Sequence, residues 1–303
     1  MTSVGMSEPR PGLVRVSRRM RTFNRSVLLL LPSIAIFVVF FLLPVLTLLA
    51  LAFNEPGGPL RLQPNFTLAN LIRFASHSLY IKALLTSVRL GFLTALIAVL
   101  MGYPVAYVMA KTRTGGRSTM FMILILLPLQ IDMVIRAYGL IVLFGDNGII
   151  NGFLLNTGLI RQPLPLSFNE FAVVVALLQM CLPLMVLSLI GVLRGIDPSL
   201  EEAARNLGAG RWRAFFSIVW PLSMPGVLAG SLLVFSVSIS SYLVPQLMGA
   251  GSVQVLPTLI YQQISRIGNW QMGAAIASVL FVASLTIVYF YNRVTQRYVE
   301  GIV

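Results

Sequence analysis

The sequence predicts an all-α, polytopic membrane protein with six transmembrane helices. Three observations lead there. Hydrophobic residues fill 57% of 303 positions and charged residues only 10%, with a mean hydropathy of +0.88, which excludes an ordinary water-soluble domain. The apolar residues gather into six windows, near 27–53, 83–110, 119–144, 171–194, 223–248 and 272–292. At about 1.5 Å per residue, each reaches the roughly 30 Å of a hydrocarbon core. Within each window the apolar run is continuous and does not alternate, which favours helices over the strands of a barrel.

The formal charge of +13 follows the membrane and does not point to a nucleic acid. If the N-terminus is cytoplasmic, fifteen of the 22 Lys and Arg residues fall in the segments on that side, among them Arg10 to Arg25, Lys111, Arg113, Arg117, Arg194, Arg205, Arg211, Arg213, Arg293 and Arg297. The positive-inside rule then sets both termini in the cytoplasm of a multi-pass membrane protein.

Taken in order, residues 1–26 form a basic tail suited to touching anionic lipid, and 27–53 the first span, too long for a signal-peptide core. An extracytoplasmic loop at 54–82 opens on the turn cluster EPGGP and becomes mildly amphipathic through Leu68, Leu71, Ile72 and Phe74. Residues 83–295 make a core of five further spans, and 296–303 a cytoplasmic end. Within the core, GDNGIINGFLLNTGLI at 145–160 reads as a short apolar helix at the bundle rim. No internal repeat and no matched pair of interrupted helices is visible. Cys181 has no partner for a disulfide and His77 no neighbouring carboxylates, so no metal site and no cofactor are expected. No span joins a nucleophile to a base, and no GxxxxGK[ST] phosphate loop is present, so the chain is not read as an enzyme.

The most informative segment is the polar loop at 195–222, wedged between two apolar windows. Asp197 is placed to cap a helix that starts on Pro198, Glu201 and Glu202 lie near its positive end, and Gly208 is placed to stop it. Leu200, Ala203, Ala204 and Leu207 fall at i, i+3, i+4 and i+7, giving one apolar face. An apolar face on a short helix outside the bilayer needs a groove to fill, on its own chain or on a soluble partner.

Glu202, Ala203, Ala204, Gly208, Ile218 and Pro221 match the spacing of the EAA signature of importer-type ABC permeases, with Trp220 where that pattern usually carries Leu. MGYPVAYVMAK at 101–111, LLPLQIDMVIRAYGL at 126–140 and LPLMVLSLIGVLRGIDPSLEEAARNLGA at 182–209 further resemble the spermidine/putrescine permease subunits. The resemblance covers about residues 27–295. It implies a type I ABC importer transmembrane-domain fold and a non-enzymatic permease subunit. Its partners would be two ATPase subunits that carry the ATP chemistry, a second and related permease chain, an extracytoplasmic solute-binding protein and membrane lipid. By matching position, Glu202, Ala203, Ala204, Leu207 and Gly208 would carry the coupling to the ATPase.

For the solute pathway, ionisable groups within spans are costly, roughly 2.5 to 3.5 kcal/mol each at the centre of a span. Asp132 and Arg136, one turn apart, either pair with each other or line the pore. Arg89 is read as snorkelling. In the fifth span Ser238, Ser241 and Tyr242 share a helical face and either line the pore, the reading favoured here, or pack helices closely, with Gln130 and Gln179 as weaker lining candidates. The resemblance makes a polyamine the expected solute, yet Ser241 and Gln246 stand where the polyamine branch often carries acids. Two alternatives remain: a permease for an amino acid or opine-like compound, and an ion-coupled secondary transporter using Asp132 and Arg136.

Overall fold

A computed structural model describes residues 30–55, 66–112 and 116–300. The tail expected over 1–26 and most of the 55–59 turn cluster lie outside them, as do Arg113 and the last three residues of the C-terminal segment. Among the described residues six helices are long and apolar enough to cross a bilayer, and there is no strand.

The chain divides into two units, at residues 1–50 and 51–303. The first contains nearly all of helix α1, Leu30–Leu51, which is apolar around its whole circumference. A helix of that kind is suited to lipid.

The second unit begins with α2, Ala69–Ser76. Its buried Asn70 donates its amide to the carbonyls of Ala52 and Asn54 at 3.0 and 2.8 Å, and Phe74 on the same helix is buried. The mildly amphipathic stretch of the sequence is therefore a helix pinned by one polar side chain.

Three long helices form the centre: α3, Ser78–Lys111; α7, Glu170–Gly195; and α9, Arg211–Ser240. They pack mainly on one another. Their shared core holds Ala98, Met109, Met185, Leu189, Val234 and Phe235. Helix association in lipid lacks a hydrophobic drive and relies on close approach of small residues. Gly226 shows this, since a Cβ built there would lie 3.0 Å from Val192 of α7. The interface also buries polar groups, among them the hydroxyls of Tyr103 and Ser223 at 2.7 Å.

The third apolar window departs from the expectation of one straight span. It is two helices, α4, Gly116–Gln130, and α5, Met133–Phe144, separated at Ile131 and Asp132. Phe121, Met122 and Ile125 of α4 join the core that contains Leu193 near the C-terminal end of α7, whereas Ala137, Leu140 and Phe144 of α5 join the one with Ala172 and Val173 near its start. Both helices thus lie along α7, and the third of the six segments long enough to span runs from the start of α5 to Asn156. A short α6, Ile149–Asn156, follows, held by buried Asn151. Its amide donates to Gly145 O and Leu164 O, each at 3.0 Å, and its carbonyl accepts from Leu164 N at 2.8 Å.

Between α7 and α9 lies α8, Pro198–Asn206. After α9 come α10, Leu243–Met248, α11, Leu256–Tyr261, and the last span α12, Trp270–Glu300. The fifth window is therefore also interrupted, at Ser241 and Tyr242.

Candidate functional site

Two places in this fold carry the residues singled out by the sequence. The first is α8. Asp197 has extended backbone and its carboxylate accepts the N–H of Ser199 at 2.9 Å, satisfying one of the free donors of the first turn. At the other end Gly208 has φ +90°, a conformation that an L-residue with a Cβ adopts only at a cost. There Ala209 N donates to Ala204 O at 3.0 Å and Gly208 N to Arg205 O at 2.9 Å, closing the last carbonyls. Both ends are set by residues inside the motif.

The apolar face of α8 is uncovered. Leu207 is 89% exposed and Leu200 45%; Ala203 is exposed and Ala204 half-buried. A shallow cavity of ≈ 330 Å³ beside it is lined by Ala204, Leu207, Gly208, Ala209, Arg213 and Ser217. Glu202 is exposed. Its neighbour Glu201, to which the sequence reading gave no partner, is the anchor: its carboxylate lies 2.9 Å from Lys111 Nζ at the end of α3, with Arg205 at 3.9 Å. The Lys111 ammonium also sits 4.6 Å from the Tyr107 ring centroid. Both Lys111 and Glu201 are visible in the sequence, but 90 residues separate them, and only the packing of α3 beside α7 joins them.

The second place is the level of the two interruptions. Asp132 accepts the N–H of Val134 at 2.8 Å, a donor that a continuous helix would direct to Gln130 O, so the helix stops and restarts. In the fifth window Pro245 has no N–H to give to Ser241 O, and Ser241 is extended at ψ 124°. Neither break changes the hydropathy, which is why the windows read as continuous. Both lie at the same depth on α7. Arg136, Met133 and Ala137 of α5 meet Ala176, Gln179 and Met180 of α7 and Val244 of α10 around a void of ≈ 10 Å³, and Ser238 Oγ is 3.7 Å from Cys181 Sγ.

This level gathers Arg136 and Gln179 but treats the other candidates differently. The carboxylate of Asp132 serves as a helix cap, and no Asp132–Arg136 ion pair occurs among the described residues. Ser238 is 4% exposed and faces Cys181, inside the helix packing. Because α9 ends at Ser240, Ser241 and Tyr242 do not continue the face of Ser238; Tyr242 packs against Tyr261 in a tilted ring pair with centroids 4.6 Å apart. Gln130 ends α4 and is exposed. Arg89 forms an ion pair with Glu170 at the start of α7, a partner the sequence reading did not supply. Among the described residues there is no group of His, Cys, Asp and Glu able to hold a metal.

All-helical, with six apolar segments long enough to cross a bilayer, the described residues belong to a polytopic membrane protein. Residues 98–299 match the family described as the binding-protein-dependent transport system inner membrane component, and the chain belongs to that family of ABC importer permeases. It is 31% identical to the spermidine/putrescine transport system permease protein PotB of Haemophilus influenzae, over 87% of this chain and 92% of that one. It is 32% identical to the PotB protein of Escherichia coli strain K12, over 86% and 94%. The fold is similar to that of a chain in the crystal structure of a bacterial ABC transporter involved in the import of the acidic polysaccharide alginate, with a TM-score of 0.76, 21% identity and coverage of 91% and 98%.

Proposed function

We propose that this chain is one of two permease halves of an ATP-driven importer that receives a small organic solute from a binding protein. In this reading α8 is the coupling helix. It lies on the cytoplasmic side together with both termini, and its apolar face, with Glu202, Ala203, Ala204 and Leu207, fills a cleft on an ATPase subunit. Gly208 fixes the angle at which the chain returns to α9, and Lys111–Glu201 ties the helix to α3, so a push on α8 reaches two spans. The observation that carries this is the 89% exposure of Leu207 on a helix whose two ends are both capped. An apolar side chain so exposed on a rigid element is what a docking surface requires. The assembly holds two ATPase subunits, a second permease chain and an extracytoplasmic binding protein, and no nucleic acid. The solved alginate transporter, described in complex with a pentasaccharide-bound periplasmic protein, provides the analogy for the last of these.

Relatives named for spermidine and putrescine make polyamines the first solutes to test. A second reading, a non-polyamine solute such as an amino acid or opine-like compound, is favoured by Ser241 and Gln246 standing in place of acids at the second break.

The test is co-purification followed by reconstitution. An ATPase and a second permease are expected to copurify with the chain, and uptake is expected to need ATP and to survive collapse of ion gradients. Joint replacement of Glu202 and Gly208 is expected to abolish uptake while the complex still assembles. Full uptake by that double variant, or uptake driven by an ion gradient alone, would falsify the reading.

A further inference from the structure

Arg136 is a cation without a partner at the level of the two helix breaks. Its Nε and Nη1 are buried and make no hydrogen bond. Six of the seven other residues around its void are apolar, and the seventh is Gln179. The nearest carboxylate in sequence, Asp132, is turned to the N–H of Val134. Arg136 is half-buried, and the void of ≈ 10 Å³ beside it has room for about one water, which is little to replace the hydration that these two nitrogens lose. Intramembrane ionisable groups are expensive and occur where a pathway uses them.

On the far side of α10 lies a second cavity of ≈ 320 Å³, lined by Gln246, Gln254, Thr258, Gln262 and Arg266. One short helix separates the two, since Val244 borders the first and Pro245 and Gln246 the second. Together they expose two arginines and four glutamines and no carboxylate among their lining residues. A polyamine cation would meet like charge at both. A carboxylate would meet, in succession, two planar guanidinium groups able to grip it bidentately, with amide N–H donors beside each.

Resting on the importer reading above, we propose that the transported solute carries an anionic group, a carboxylate foremost. Arg266 receives it in the larger cavity, and Arg136 is the residue that holds it at the narrow level between the broken helices. As packed here, that level has room for about one water and no solute. When the α5 and α10 halves part, Arg136 gains the counter-charge it lacks, so passage of the anion and opening favour each other.

The test uses the complete importer with its own ATPase and binding protein in vesicles, offered glutamate, succinate, putrescine and spermidine together, with accumulated solutes measured by mass spectrometry. The expected result is ATP-dependent accumulation of a carboxylate and neither amine. It should fall at least tenfold in Arg136→Gln and recover in part in Arg136→Lys. ATP hydrolysis stimulated by the binding protein serves as the check that each variant is folded and coupled. Accumulation of putrescine or spermidine that Arg136→Gln leaves unchanged overturns the proposal, as does carboxylate uptake indifferent to Arg136 or coupled ATP hydrolysis with none of the four solutes carried. Loss of coupled ATP hydrolysis in the unaltered complex would instead count against the importer reading itself.

Discussion

Helix α8 and the level of Arg136 are opposite solutions to placing polar groups in an apolar chain. At α8 both ends are capped by groups within a few residues. Asp197 takes a first-turn N–H, Gly208 turns the chain so that the last carbonyls are closed, and what remains unmet is apolar surface, the exposed Leu207. At Arg136 the apolar surface is well packed and what remains unmet is charge. An uncovered apolar face calls for a solid partner that stays, whereas an unmet charge in a void the size of one water calls for a partner that passes. In the proposed reading, the difference separates the part of the molecule that receives force from the part that meets solute.

This contrast can be broken in order of expected effect. Arg136→Leu should raise the stability of the permease in detergent, by up to about 3 kcal/mol, because two buried guanidinium nitrogens without hydrogen bonds are replaced by an apolar group. Uptake should be lost at the same time. Thermal unfolding followed alongside transport measures both, and a destabilised variant would mean that Arg136 is paired in the assembled transporter. Gly208→Val should cost about 1 to 2 kcal/mol at the left-handed position, seen as roughly a tenfold or greater loss of uptake with little change in the melting temperature of the bundle. Intact uptake would remove the turn from the coupling path.

Asp197→Ala should weaken α8 by about 1 kcal/mol, and Asp197→Asn should restore most of that, because its side-chain oxygen accepts the same N–H. Protease sensitivity of the 195–210 segment is the readout, and equal behaviour of the two variants would mean the cap is not what holds the helix. Smallest is Ser238→Ala. Its partner is a cysteine sulfur at 3.7 Å, so stability should change by less than about 1 kcal/mol and uptake hardly at all. A severe transport defect would return Ser238 to the solute path.

The legibility of the two regions differs for the same reason. Caps act between residues two to five apart, so Asp197, Pro198 and Gly208 declare the loop helix in the amino-acid order, as the six apolar windows declare the spans. The helix breaks are nearly silent in the sequence. Val134 has an alternative acceptor in Asp132 and Pro245 has no N–H for Ser241, but neither position alters the hydropathy that marks a span. Continuous helices and no interrupted pair were therefore the expectation. Ser238 shows the converse, since its place on a hydroxyl-rich face suggested a pore and its contact with Cys181 spends it on packing.

By itself the sequence determined how many times the chain crosses the bilayer, which end carries the basic loops, and where a capped helix with one apolar face must stand. Each follows from interactions spanning less than a helix. Tertiary structure alone decided that Lys111 meets Glu201, that Arg89 meets Glu170, and that Arg136 is left without a counter-charge beside Gln179. Those outcomes depend on the depth at which α3, α5, α7 and α10 settle against one another, and the close packing that fixes this depth joins residues between 40 and 110 positions apart.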